Sequence, residues 1–383
     1  MNLTHSRISI SALFFLHGLC FSSWGARIPA IQEMHGLTEA TLGTLLLALP
    51  LGSIFSMPLA AALVSRFGSK KILLLAIILY SMVLVSVGLA QTTWQLALSL
   101  IIFGLTSNMV NVSLNTQAVK LESLFQRPIM ASLHGLWSMA GFLGGAIGGI
   151  MIGAGVVPYQ HFIFILILVM ILGLFFSRSL IPEGVSKRTV GQTSYSWPDR
   201  SLLGLGLLAF LSMICEGAMF DWSGIYFKKV VGAQGAWVSA GHVSFMATMA
   251  GTRFVADYFK ERFGFKVVLQ MSGTLIFIGL MTSVVFPRLY PAMFGFLLVG
   301  AGVSAVVPLV FSEAGKTRVM SPSGAIAAVS TIGFFGFLIG PPLIGWVAGA
   351  SSLRFSFLII AFMGLGIAFL SRKDDLNSVD VNS

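Results

Sequence analysis

Apolar runs of about twenty residues recur along almost the whole chain, and that length matches a helix crossing a bilayer. They are too long for the roughly ten-residue alternating strands of a membrane barrel. Twelve runs can be drawn, at 8–28, 40–64, 72–90, 94–119, 129–153, 162–176, 202–227, 237–259, 267–286, 292–311, 323–348 and 355–370. Only 9% of the residues are charged and 56% are hydrophobic. An average soluble domain is about a quarter charged, so no soluble fold of this size could bury this surface. The expectation is an all-α membrane protein, with the first run kept as a span rather than cleaved as a signal peptide.

The twelve spans divide into two halves that echo one another. Residues 138–148 and 330–340 both read S-x-x-G-F-x-G-x-x-I-G, 192 positions apart. Arg66-Phe67-Gly68 returns as Arg262-Phe263-Gly264, and Glu122…Arg127 returns as Glu313…Arg318. Three echoes in one order at nearly one offset argue for duplication. The expected organisation is a six-helix bundle at 1–177, a linker at 178–200 rich in Pro, Gly and Ser, a second six-helix bundle at 201–371 and a polar tail at 372–383. The two bundles are expected to be pseudo-symmetric, twelve transmembrane helices in all.

Charge placement gives orientation. With the N-terminus inside, seventeen of the 23 Lys and Arg fall in cytoplasmic segments and five in outer ones, and Arg253 lies within span 8. That bias puts both termini in the cytoplasm. It also accounts for the formal charge of +10 without nucleic acid as a partner. Cys20 and Cys215 both lie in apolar runs, so neither a disulfide framework nor metal-ligand spacing is present. There is no H-E-x-x-H, no G-x-S-x-G and no phosphate loop, which argues against an enzyme and against ATP as the driving force. No cofactor is expected.

Over its whole length the pattern resembles the major facilitator superfamily. That superfamily's loop between spans 2 and 3 reads G-x-L-A-D-R-x-G-R-K. Here Ala61, Leu63, Ser65, Arg66, Gly68 and Lys70 occupy it, so the first copy lacks the glycine and the acid. The second copy keeps the acid, as Gly251, Asp257, Arg262 and Gly264. The segments Asn111-Val-Ser-Leu-Asn115, His134-Gly-Leu-Trp137, Glu216-Gly-Ala-Met-Phe-Asp221-Trp222 and Gly340-Pro341-Pro342 are similar to the fucose-permease-like branch and its inner-membrane relatives. The resemblance implies two bundles working by alternating access, a solute site lined by spans 1, 4, 7 and 10, and a cytoplasmic gate. Arg66, Glu122, Arg127, Arg253, Asp257, Arg262, Glu313 and Arg318 match that gate. Fucose permeases carry carboxylates in spans 1 and 4. Span 1 here has none, and Asn111 stands at the span 4 position, so proton coupling does not transfer to either place.

Ionisable groups inside a bilayer are costly and usually functional. Glu216, deep in span 7, is either a proton carrier and solute ligand or a structural carboxyl bonded to a neighbouring helix. Arg27 and Asp221, at the ends of spans 1 and 7, form an outer gate pair or face headgroups. Asn108, Asn111 and Asn115 share one face of span 4, and amides suit a neutral hydroxylated solute or hold helices together. His134 is a proton relay or an interfacial ring, and Trp137 and Trp222 could stack on a solute. Arg253 and Asp257, at i and i+4, can pair. The expected activity is proton-coupled uptake of a small polar solute of the sugar or polyol class, by a monomer in a bacterial inner membrane. Proton-driven efflux and a non-transporting sensor are the alternatives. The Gly141-x-x-Gly144-Gly145 run and the Gly340-Pro341 step keep efflux open.

Overall fold

The structure is a computed structural model, and it describes residues 2–126, 129–182, 200–317 and 322–372. The side chains of residues 131, 200, 201, 257, 322 and 323 lie outside that description. Most of the expected linker and tail, at 183–199 and 373–383, also falls outside it.

The described residues are almost entirely helical. The first half contains α1 (Leu3–Met34), α2 (Glu39–Leu46), α3 (Ala48–Phe67), α4 (Ser69–Leu89), α5 (Thr93–Phe125), α6 (Met130–Gly153) and α7 (Pro158–Ser177). The second contains α8 (Arg200–Tyr226), α9 (Ala240–Arg253), α10 (Ala256–Phe263), α11 (Phe265–Val285), α12 (Leu289–Ala314), α13 (Pro322–Ala350) and α14 (Leu353–Leu370). A π-helical turn, Phe227–Val231, closes α8. Among the described residues eleven spans, counting α2 and α3 as one, are long and apolar enough to cross a membrane, and α9 with α10 fills the remaining place, eighth in the chain.

Two interruptions have local causes. Pro50 has no N–H to give the carbonyl of Leu46 and its ring crowds that carbonyl, so the helix breaks between α2 and α3. After α9, Phe254 and Val255 donate to Gly251 and Thr252, three residues back, so the ladder tightens and stops. Arg253 and Asp257 therefore do not share one unbroken helix, contrary to the i, i+4 expectation. Two further boundaries differ from the sequence reading. The helix runs through Pro29 to Met34 instead of ending at 28, and α5 carries Lys120 and Glu122 on its last turns where a loop was expected.

Contacts divide the chain into two compact units. Unit 1 is Met1–Leu37, Leu45–Thr189 and Gln234–Ser239, and unit 2 is Thr38–Thr44, Val190–Ala233 and Ala240–Ser383. Within unit 1, α1 packs on α6 and α7, α5 on α3 and α4, and α4 on α7. Within unit 2, α8 packs on α13 and α14, α12 on α9 and α11, and α11 on α14. These principal pairings are the same, span for span, which is the duplication seen as packing.

The echoed motifs do the same work in both units. Gly68 joins α3 to α4 at φ 88° and ψ 149°, and Gly264 joins α10 to α11 at φ 82° and ψ 158°. Residues with a Cβ rarely adopt that conformation, so glycine is required at each turn. The preceding arginines lie over the preceding rings, Arg66 on Phe67 at 5.2 Å and Arg262 on Phe263 at 5.6 Å. In the longer echo, a Cβ at Gly144 would meet Ser22 of α1 at 2.9 Å, and one at Gly336 would meet the Phe210 carbonyl of α8 at 2.5 Å. Small residues let these backbones approach, which is how helices associate where lipid removes the hydrophobic driving force.

Candidate functional site

The interior of unit 1 is polar without being acidic. His17 of α1 lies 3.0 Å from Ser107 Oγ of α5, with its ring 5.4 Å from that of Tyr80 and 6.4 Å from that of Trp137. Trp137 also lies against Phe21 at 5.9 Å, and His134, exposed on α6, meets Phe14 edge-on at 5.4 Å. On α5 the three asparagines are half-buried. Asn108 Nδ2 donates to Ser56 Oγ at 2.7 Å, and Asn115 Nδ2 donates to Asn111 Oδ1 at 2.9 Å. Part of the amide row is thus engaged within unit 1, while each amide keeps further donors or acceptors to offer. Aromatic faces beside an imidazole, in the same unit as this amide row, suit stacking on a hydroxylated ring.

Arg27 is 2% exposed, and its Nε donates to Nδ1 of the fully buried His161 of α7 at 3.1 Å. His161 was not singled out from the sequence. The signal that could have found it is an always-charged arginine in spans that contain no carboxylate, since such a charge needs a nearby acceptor.

Unit 2 holds the intramembrane carboxylates. Glu216 of α8 is buried, and its Oε1 lies 3.6 Å from Nη2 of Arg253 at the end of α9. No cation is near Glu216 along its own helix; the partner comes from across the bundle, which spacing along one helix cannot reveal. Asp221 is half-buried on α8, and Trp222 beside it is fully buried. His242 stands edge-on to Phe220 at 5.5 Å.

The expected gate residues fall in several places. Glu122 Oε2 accepts from the backbone N–H groups of Ile129 and Met130 at 2.9 and 3.2 Å, at the start of α6. Glu313 pairs with Lys316 at 2.9 Å. Arg262 donates to the Tyr258 hydroxyl at 2.8 Å. Arg127 and Arg318 lie outside the described residues, as does the side chain of Asp257. Gln117 belongs with none of these. It donates to Ser69 Oγ and the Ile181 carbonyl and accepts from the Ile181 N–H, tying α5 to α4 and to the segment after α7. Among the described residues no group of three His, Cys, Asp or Glu is placed to hold a metal ion.

Two helical units with one packing pattern, each burying polar groups among apolar spans, are consistent with a polytopic membrane transporter that works by alternating access. The chain belongs to the Major Facilitator Superfamily, whose family model matches residues 10–317. It is 31% identical over 366 residues to an uncharacterized MFS-type transporter of Yersinia pestis, covering 96% of this chain and 95% of that one. It is 30% identical over 375 residues to the membrane protein MosC of Rhizobium meliloti, covering 95% and 90%. Among solved structures, it is similar to a bacterial homolog of the human lysosomal transporter Spinster, with a TM-score of 0.75, 15% identity and 96% of each chain covered. It is also similar to the nucleoside transporter NupG, with a TM-score of 0.72, 17% identity and 97% and 98% covered.

Proposed function

We propose that this protein takes up a small hydroxylated solute together with protons, by alternating access, across a bacterial inner membrane with both termini inside. The observation that carries the reading is the pairing of buried Glu216 with partly buried Arg253, 3.6 Å apart in unit 2. A proton arriving on Glu216 removes the charge that holds Arg253, so protonation and the packing of α8 on α9 are one event. That is what a coupling site requires, since a ligand moves an equilibrium only through differential interaction with its two states. The half-buried amides of α5 and the rings of Tyr80 and Trp137 support a hydroxylated solute. Efflux remains the second reading, favoured by the Gly340-Pro341 step inside α13.

The test is reconstitution into liposomes with a trapped pH dye and a panel of sugars, polyols, sugar acids and drugs. Proton entry with one solute, lost in Glu216→Gln, is the expected result. Solute entry without proton movement removes the coupling role from Glu216, and proton exit against a drug favours efflux.

A further inference from the structure

Unit 1 buries a positive charge, and among its described residues no carboxylate is paired with it. In the sequence its only carboxylates are Glu33, Glu122 and Glu183. Glu33 is exposed, Glu122 serves the start of α6, and Glu183 lies outside the described residues. Arg27 is charged at any working pH. Among the described residues its one hydrogen bond goes to His161, through Nε. Its Nη2 has no acceptor among the described residues.

The neighbours share the deficit. His161 Nδ1 accepts from Arg27, so in the neutral ring the proton sits on Nε2, and Nε2 also lacks a partner among the described residues. Trp24 stands three residues before Arg27 on α1, on the same face of the helix, and its Nε1 is likewise buried and unpartnered. All three groups are donors, so no rotation among them supplies an acceptor. His161 also lies in the opening turns of α7, a 20-residue helix whose N-terminal end carries partial positive charge. A Cβ at Gly148 would collide with Cβ of Ala26 and stand 3.7 Å from His161 Cε1, so glycine is what lets α6 sit against α1 at this spot.

We propose that Trp24, Arg27 and His161 form the subsite that takes an anionic oxygen group of the solute, a carboxylate or a phosphate. The solute is then a hydroxylated acid rather than a neutral sugar. The proposal rests on the uptake reading above and narrows it. Arg27 supplies a charged fork, and His161 and Trp24 supply one N–H each, which together match the several lone pairs of such a group. The groups are buried in this conformation, so the anion docks when the transport cycle opens them. One proton entering with one carboxylate moves no net charge, whereas one proton with a neutral sugar does.

The test reads binding first, so that it stands apart from proton coupling. Purified protein is melted with sodium gluconate, sodium phosphate, glucose or matched sodium chloride. At about ten times Kd the favoured anion raises Tm by roughly 3–6 °C, and glucose does not. A response to gluconate alone assigns a carboxylate, and a response to phosphate alone assigns a phosphate. Arg27→Gln abolishes the shift. If Arg27→Gln does not fold, His161→Phe decides, with an expected loss of about tenfold in affinity for one hydrogen bond to a charged group. Equal stabilisation by glucose, no response to either anion, or an unchanged response in the variants overturns the subsite. In liposomes, proton uptake driven by a neutral sugar and carrying current would leave the uptake reading standing and remove this one. Retained gluconate binding in Glu216→Gln would do the reverse if proton coupling fails.

Discussion

Glu216→Gln is the most informative single change. At 3.6 Å and an effective dielectric near 20, the attraction between Glu216 and Arg253 is about 4–5 kcal/mol before desolvation is counted. Most of that gain is offset by the cost of burying both charges, so the pair itself stabilises little. Removing one partner is different, because it strands the other charge. The side chain of Arg253 is only 22% exposed and cannot fully rehydrate. The expected loss is therefore about 3–5 kcal/mol for Glu216→Gln and for Arg253→Gln alike. In units of roughly this size 1 kcal/mol moves Tm by about 2–4 °C, so each single variant should melt at least about 6 °C lower. Changing both residues removes both stranded charges, and that double variant should melt within about 4 °C of the parent. Scanning fluorimetry of the four proteins in one detergent completes the cycle. If the double variant falls by the sum of the two singles, the residues do not interact and the coupling argument fails. If neither single variant moves, the pair is hydrated and cannot act as a switch.

Three other results are expected. Gly52→Ala or Gly104→Ala should destabilise by about 1–3 kcal/mol, because the new Cβ meets the carbonyl of Ile101 or Leu49 on the facing helix. Gly251→Ala meets nothing and should be neutral or better, so equal losses at all three positions would refute the packing argument. Gln117→Ala leaves Ser69 and both backbone groups of Ile181 without that partner and should cost about 1–3 kcal/mol, with faster amide exchange at Ile181 as the specific readout. Asn108→Ala and Asn111→Ala should each raise KM for the solute found in the liposome panel while leaving proton leak unchanged; an unaltered KM would make the α5 amides structural.

Much of the architecture was legible from residue types alone. Bilayer length is written into apolar runs, and duplication into glycine motifs whose work depends on having no side chain. Gly68 and Gly264 are the clearest case, since one backbone conformation forces one residue twice. The interruption at Phe254–Val255 was not legible, because it has no proline and its one glycine, Gly251, also fits a helix interior. The partners of the charged residues were hidden for another reason. Spacing along a helix reports neighbours on that helix, whereas Arg253 reaches Glu216 and His161 reaches Arg27 from different helices. The amide row of α5 is visible in the sequence, but its bonds to Ser56 and within the row needed coordinates.

The broken eighth span also bears on how the chain is made. α9 is 14 residues long, about 21 Å, which is short of the roughly 30 Å hydrocarbon layer, and it ends in Arg253. Such a segment leaving the ribosome is a poor candidate to partition into lipid alone, since an arginine at depth costs about 2.5–3.5 kcal/mol on insertion scales. Its compensation is supplied by neighbours. Glu216 has already been synthesised on α8, but Thr248 waits for the Leu297 carbonyl of α12, 2.7 Å away in the finished unit, and Gly300 of α12 waits for the backbone of Phe245. In the finished unit, α12 thus secures a span that lies about fifty residues earlier in the chain, so the short α9 depends on a helix translated after it.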